Sequence, residues 1–302
     1  MTVILEGPGR APQGERRFRG GLLELDLTRK CALNCTHCYN GSGPEGTHGE
    51  MTRADWLHAV EQAGHRGFTA VQLIGGEPTM HPDAPELVAH ALTLGMTVEV
   101  FTNLVHVTPA WWALFRRPGV SLATSYYSAD ADAHNEVTRR PSHPRTEANI
   151  ITALRHGIPL RVGLIRINVD QDVNGAVAHL RDLGVTDVRV DDERPFGRAG
   201  GSTDPAGLCG RCGDGRAAIG PNGDVSPCVM SAWLPVGNVR SAPLSATLDG
   251  DRMAEAIATI REARAGNEPL PPPGPQPPPP PCSPQDDECS PGTPLSTCNP
   301  RR

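Results

Sequence analysis

From residue 21 onward the chain alternates between two hydrophobic periods. In LLELDL, Leu23, Leu25 and Leu27 are interleaved with Glu24 and Asp26, the two-residue period of a strand. A cysteine-bearing loop follows, and the period then lengthens. Thr52 is placed as an N-cap with Asp55 three residues on, and Trp56, Ala59, Val60 and Ala63 recur at helical spacing. TAVQLI (69–74) reads as a strand and APELVAHALTLG (84–95) as a helix closed by Gly95. The same reading predicts strands over 97–102, 120–125, 159–167 and 185–190, with helices over 145–156 and 171–183. Six strands separated by helices predict a parallel α/β sheet, either curved into a barrel or open and doubly wound. No internal repeat interrupts this order.

Beyond residue 200 the alternation stops. Residues 206–240 are rich in glycine and carry Cys209, Cys212 and Cys228, and IGPNGDVSPC predicts a tight hairpin around Asn222-Gly223. An amphipathic helix is expected near 251–264, and EPLPPPGPQPPPPP (268–281) reads as stiff polyproline. The tail carries Cys282, Cys289 and Cys298 with almost nothing apolar to bury. The expected organisation is a mobile arm over 1–20, an α/β core over 21–200 and a cysteine-rich auxiliary domain over 201–265. A Pro-rich linker over 266–281 and a cysteine-containing tail over 282–302 complete it.

Charge narrows the function classes. The 302 residues carry a net charge of −6, so no overall field favours nucleic acid or an anionic membrane surface. No apolar run approaches the roughly 20 residues that span a bilayer, and MTVILEGPG lacks the pattern of a signal peptide. Nine cysteines without that signal fit a reducing compartment, where clustered thiols hold metal or do chemistry more often than they form disulfides. The expected location is the cytoplasm.

KCALNCTHCYN places Cys31, Cys35 and Cys38 within eight residues, directly after a strand. A structural zinc site takes four closed ligands, and here it would have to borrow His37 or His48. A [4Fe–4S] cluster held by three thiolates instead leaves one iron free for something other than protein. Inert buried cysteines are the third reading. VQLIGGEPTMHPD bears on the choice, because Gly75-Gly76-Glu77-Pro78 falls at the carboxyl end of a predicted parallel strand, where α/β proteins build their sites. Two glycines there let backbone approach a ligand closely, and Glu77 offers a carboxylate to a cationic group.

With these two motifs in order, residues 21–200 resemble the radical S-adenosylmethionine (radical SAM) enzymes. The resemblance implies a partial (β/α)6 TIM-type barrel and a [4Fe–4S] cluster on Cys31, Cys35 and Cys38. S-adenosylmethionine (SAM) would chelate the open iron, with Gly75, Gly76 and Glu77 lining the site of its methionyl amine. It implies reductive cleavage of SAM to a 5′-deoxyadenosyl radical that abstracts hydrogen from a substrate. By similarity Ser125 contacts the SAM ribose, and His37 packs against adenine or serves as a spacer. An electron donor such as ferredoxin or flavodoxin is implied as a partner.

The run from Cys209 to Cys228 resembles the opening of the SPASM/twitch extensions, which carry auxiliary iron–sulfur clusters. Six thiols cannot fill two four-cysteine clusters, so the resemblance implies at least one auxiliary cluster on four of Cys209, Cys212, Cys228, Cys282, Cys289 and Cys298. A spare thiol among Cys282, Cys289 and Cys298 could return a hydrogen atom to a substrate radical; no other side chain is singled out as catalytic. A zinc knuckle is the plainer reading of the same ligands. The leading expectation is a maturase that cross-links or epimerises a ribosomally made peptide, with room for a separate peptide-recognition protein. Two alternatives stay open: a radical epimerase or dehydrogenase of a sugar or aminocyclitol, and a non-catalytic metal-binding protein.

Overall fold

A computed structural model describes Phe18 and residues 20–265. The N-terminal arm, the Pro-rich linker and the tail with Cys282, Cys289 and Cys298 lie outside the described residues, apart from Phe18 and Gly20.

The six predicted strands form, in chain order, β1 (Leu22–Asp26), β2 (Ala70–Ile74), β3 (Thr97–Phe101), β4 (Val120–Tyr126), β5 (Leu160–Arg166) and β6 (Asp187–Asp192). They pair in parallel with each strand beside its predecessor. Helices cover the outer face: α1 (Arg53–Arg66), α2 (Ala84–Thr93), α3 (Pro109–Phe115), α4 (Ala131–Thr138), α5 (His143–Arg155) and α6 (Val173–Asp182). Thr52 caps α1 in a capping box with Asp55, as its spacing predicts. The sheet is open, as in a partial barrel, with β6 as one edge.

Three short helices were not legible in the pattern. α3 and α4 are less than three turns long, too short for a period to declare itself, and α7 (Leu244–Asp249) is shorter still. The predicted C-terminal helix is present as α8 (Asp251–Ala263).

The hairpin joins the same sheet. β7 (Arg216–Ile219) runs parallel to β1 on the side opposite β2, then β8 (Asp224–Ser226) and β9 (Gly237–Asn238) add antiparallel strands. The turn closes through Gly223, at φ 89°, a left-handed position that glycine occupies without a Cβ clash. The order is β6-β5-β4-β3-β2-β1-β7-β8-β9. Cys228 therefore follows a strand two places from the one that precedes Cys31.

Alternation in β1 has a meaning that period alone does not show. Leu23, Leu25 and Leu27 pack under the helices, while Glu24 and Asp26 face the barrel interior and are also buried. Glu24 accepts a 2.9 Å hydrogen bond from the Val229 amide and lies near Arg216, whereas burial pushes its carboxyl above the usual range. Register places Gln72 and Glu99 beside Glu24 in the same interior layer. Arg161 spans to Glu99 with two 2.7 Å hydrogen bonds, a fork that a carboxylate matches.

Candidate functional site

The cysteine loop is held as an extension of the sheet. Beyond β1 and β2 the ladder continues with Leu27 N–H to Ile74 O at 3.0 Å, Gly76 N–H to Thr28 O at 2.7 Å and Glu77 N–H to Lys30 O at 2.9 Å. This is the work of the two glycines. A Cβ on Gly76 would stand 2.4 Å from the Lys30 carbonyl oxygen; one on Gly75, itself at φ 130°, would stand 2.8 Å from Asp26 Oδ1 and Thr28 O. The close approach that these residues permit is thus to the protein's own cysteine loop.

Other elements fix the loop from its remaining sides. Cys31 N–H donates to Gly43 O, and Gly43 N–H to Arg29 O. The carboxyl end of α4 accepts from the loop, Asn34 N–H to Thr138 O and Thr36 N–H to Val137 O, which satisfies carbonyls a helix end leaves open. Arg198 binds twice, through its amide to Cys38 O at 3.0 Å and through Nε to Cys35 O at 2.7 Å.

Cys31 is buried, and its sulfur accepts from the Leu33 amide at 3.4 Å and from Asn103 Nδ2 at 3.7 Å. Burial, with Glu77 next, pushes the Cys31 thiol up to about 12; burial and the Cys38 sulfur do the same to Cys35. Ser125, near the end of β4, lies beside the Tyr127 phenol, and Tyr127 lies beside the Cys35 sulfur. His37 lies edge-on to Tyr127, with ring centroids 5.0 Å apart, and its buried Nδ1 has no partner. Burial and the nearby Arg198 guanidinium hold His37 down at about 4, so the ring is neutral at ordinary pH.

The fold therefore brings Cys31, Cys35, Cys38, Gly75, Gly76, Glu77, Ser125 and His37 to one end of the sheet. Glu77 is placed differently from a side chain that reaches for a ligand. It is 3% exposed; Oε1 accepts from the Thr79 amide at 3.1 Å and hydroxyl at 2.7 Å, and Oε2 from the Asn103 amide at 2.8 Å. Burial pushes its carboxyl up, and these donors pull it back. Asn103, Tyr127 and Arg198 are the residues that sequence reasoning missed. Only their places after β3, β4 and β6 mark them, and strand ends carry many residues that do nothing.

Cys209, Cys212 and Cys228 also converge. Cys212 Sγ and Cys228 Sγ stand 2.9 Å apart, and Gly213 N–H to Pro227 O, at 2.8 Å, ties the two segments together. The neighbouring Cys212 thiol holds the Cys209 thiol down, while Cys209 and Cys228 raise Cys212. Phe196, Leu208 and Ile260 enclose the group. Among the described residues no three His, Cys, Asp or Glu side chains are arranged around a single ion. The thiol sets are grouped at loops, the donor chemistry of iron–sulfur clusters, whose thiolates bind different irons.

Comparison with known proteins decides the family. A model of the radical SAM superfamily matches residues 25–180. The chain belongs to the radical SAM superfamily. In this radical SAM protein an iron–sulfur cluster-binding domain of the SPASM type matches residues 209–273, the stretch that holds the second thiol group. A PqqA peptide cyclase of Streptomyces rochei is 29% identical over 177 residues, 57% of this chain and 48% of that protein. An AdoMet-dependent heme synthase of Methanosarcina barkeri is 30% identical over 143 residues, 47% of this chain and 41% of that protein. The chain spans about half the length of the curated relatives it matches. Among solved structures, Streptococcus suis SuiB bound to precursor peptide SuiA superposes with a TM-score of 0.67 at 16% identity, covering 81% of this chain and 67% of that one. Native anSMEcpe with bound AdoMet and Cp18Cys peptide gives 0.63 at 14%, covering 80% and 82%. At these identities the structures bear out the partial-barrel fold and nothing finer.

Proposed function

We propose that this protein is a radical SAM enzyme that modifies a ribosomally made peptide. The observation that carries the reading is the convergence of Cys31, Cys35 and Cys38 with Gly75-Gly76-Glu77 at the carboxyl end of the sheet. Bound there, a [4Fe–4S] cluster and SAM supply hydrogen-atom abstraction by a 5′-deoxyadenosyl radical. The chain's own part is to hold and shield. Cys31, Cys35 and Cys38 hold three irons, and the backbone of Gly75–Glu77 lines the methionyl end of SAM. Ser125 would contact the ribose and His37, whose buried Nδ1 has no partner, would pack against the adenine. Cys209, Cys212 and Cys228, with one tail thiol, hold an auxiliary cluster.

A cavity of ≈170 Å³ opens between the base of the cysteine loop and the hairpin, lined by Asp26, Arg29, Asn222, Ser226 and Val229 among others. The peptide-acting names of the PqqA cyclase relatives support the class of substrate, and the bound peptides of SuiB and anSMEcpe show that the fold admits one. An electron donor of ferredoxin or flavodoxin type and a separate peptide-recognition protein complete the proposed system. Among the described residues no helix is long and apolar enough to cross a membrane.

The test uses anaerobically reconstituted, reduced protein with SAM and producer-cell extract, with and without prior protease digestion. Protease-sensitive stimulation of 5′-deoxyadenosine formation is the expected result, lost in Cys31→Ala. Protease-resistant stimulation would transfer the assignment to a small-molecule substrate. Absence of 5′-deoxyadenosine from fully cluster-loaded protein would defeat the radical reading.

A further inference from the structure

The carboxylate of Glu77 points at Asn103, and Asn103 points at Cys31. Asn103 follows β3 and is fixed at every polar group it owns. Its amide donates to Glu77 Oε2 at 2.8 Å, its Oδ1 accepts from the Val105 amide at 2.9 Å, and its carbonyl accepts from Thr146 Oγ1 at 3.0 Å. What remains is Nδ2, which reaches Cys31 Sγ at 3.7 Å, a weak but directed N–H···S contact. The next residue shows what this placement costs. Leu104 is fully buried and sits at φ 55°, a left-handed conformation that L-residues other than glycine seldom adopt. Its amide donates to Thr102 Oγ1 at 3.2 Å and its carbonyl accepts from Asn149 Nδ2, so neighbours on two elements hold the strained turn. Strain that the surroundings over-determine beside a candidate centre marks a geometry kept for use.

We infer that Asn103, pinned by Glu77, is a positioning residue whose side-chain N–H bonds to the Cys31 thiolate and raises the reduction potential of the cluster that Cys31 helps to hold. The physical reason is charge. Reduction adds an electron that spreads onto the cluster sulfurs, and a donor aimed at one of them stabilises the more negative state. Leu33 N–H makes a second such bond to the same sulfur, at 3.4 Å. This inference rests on the proposed function, because it assumes a cluster at Cys31.

The experiment is a potentiometric titration of the full-length, reconstituted protein, followed by electron paramagnetic resonance on the signal that added SAM perturbs. That choice separates this cluster from an auxiliary one. Asn103→Ala and Asn103→Ser are compared with wild type. The serine hydroxyl can still accept from the Val105 amide and keep the turn, but it is too short to reach Cys31. In both variants the ratio of reduced to oxidised cluster at a fixed solution potential should fall about tenfold, ~59 mV for one electron. An unchanged midpoint in both, at full iron content, would overturn the inference. So would a fall in Asn103→Ala alone, which would reduce Asn103 to a turn-former. If wild-type protein shows no SAM-perturbed signal, the proposed function itself falls and takes this inference with it.

Discussion

At the scale of single residues, Glu77 is the informative case. Its motif suggests a carboxylate offered to a ligand, whereas the fold turns it inward onto three donors from two other residues. Its loss should therefore register first in the folded protein. Glu77→Gln replaces one acceptor oxygen with an N–H₂ that faces backbone amides, leaving buried donors unmatched. Destabilisation of about 1–3 kcal/mol is expected in urea unfolding, with faster amide exchange at Asn103. Wild-type stability in that variant would mean that the carboxylate is free for a ligand after all.

At the scale of elements, the decisive construction is the continuation of the β1–β2 ladder into the cysteine loop. Strand periodicity predicts β1 and β2 separately, and both are present. That Gly75 admits Thr28 and the Asp26 carboxylate, and Gly76 the Arg29–Lys30 backbone, follows only from the pairing, since a glycine pair after a strand reads equally well as a turn. Gly76→Ala forces its Cβ against the Lys30 carbonyl and must push the loop outward. Cluster iron bound per chain after reconstitution should fall at least several-fold, with the far-ultraviolet circular dichroism of the sheet unchanged. Full iron loading in this variant would show that the loop tolerates the shift. The hairpin is similar: Asn222-Gly223 announces the turn, but only pairing in space attaches β7 to β1 and brings Cys212 to Cys228.

At the scale of the whole molecule, polar groups are enclosed on both faces of the sheet. Inside lie Glu24, Asp26 and Gln72; outside, His134 is wedged among Tyr126, Tyr127 and His143, near Glu147. Burial, with His143 next, holds His134 down at about 4. Its unfolded value is about 6.5, so between these limits the unfolded chain binds the extra proton and the folded chain resists it. The neutral ring's contribution to stability is complete above about pH 6.5 and is lost as pH falls toward 4, by up to about 1.4 kcal/mol per pH unit. Urea unfolding of wild type and His134→Gln across pH 7 to 5 checks this. The slope should be shallower in the variant, and equal slopes would discard the assignment.

What the sequence by itself determined is local or nearly so. Periods of two and 3.6 residues come from backbone geometry and declared the six core strands and the longer helices. The spacing of Cys31, Cys35 and Cys38 put three thiol donors on one short loop, because residues that close in sequence stay neighbours in space. Tertiary structure alone decided the direction of Glu77, the reach of Asn103 to Cys31 across 72 positions and the seating of Arg198 on Cys35 across 163. Those contacts join ends of different strands, and no residue's immediate neighbours encode which strand end will face it. That is set when β1 to β6 pair in register and the helices close over them.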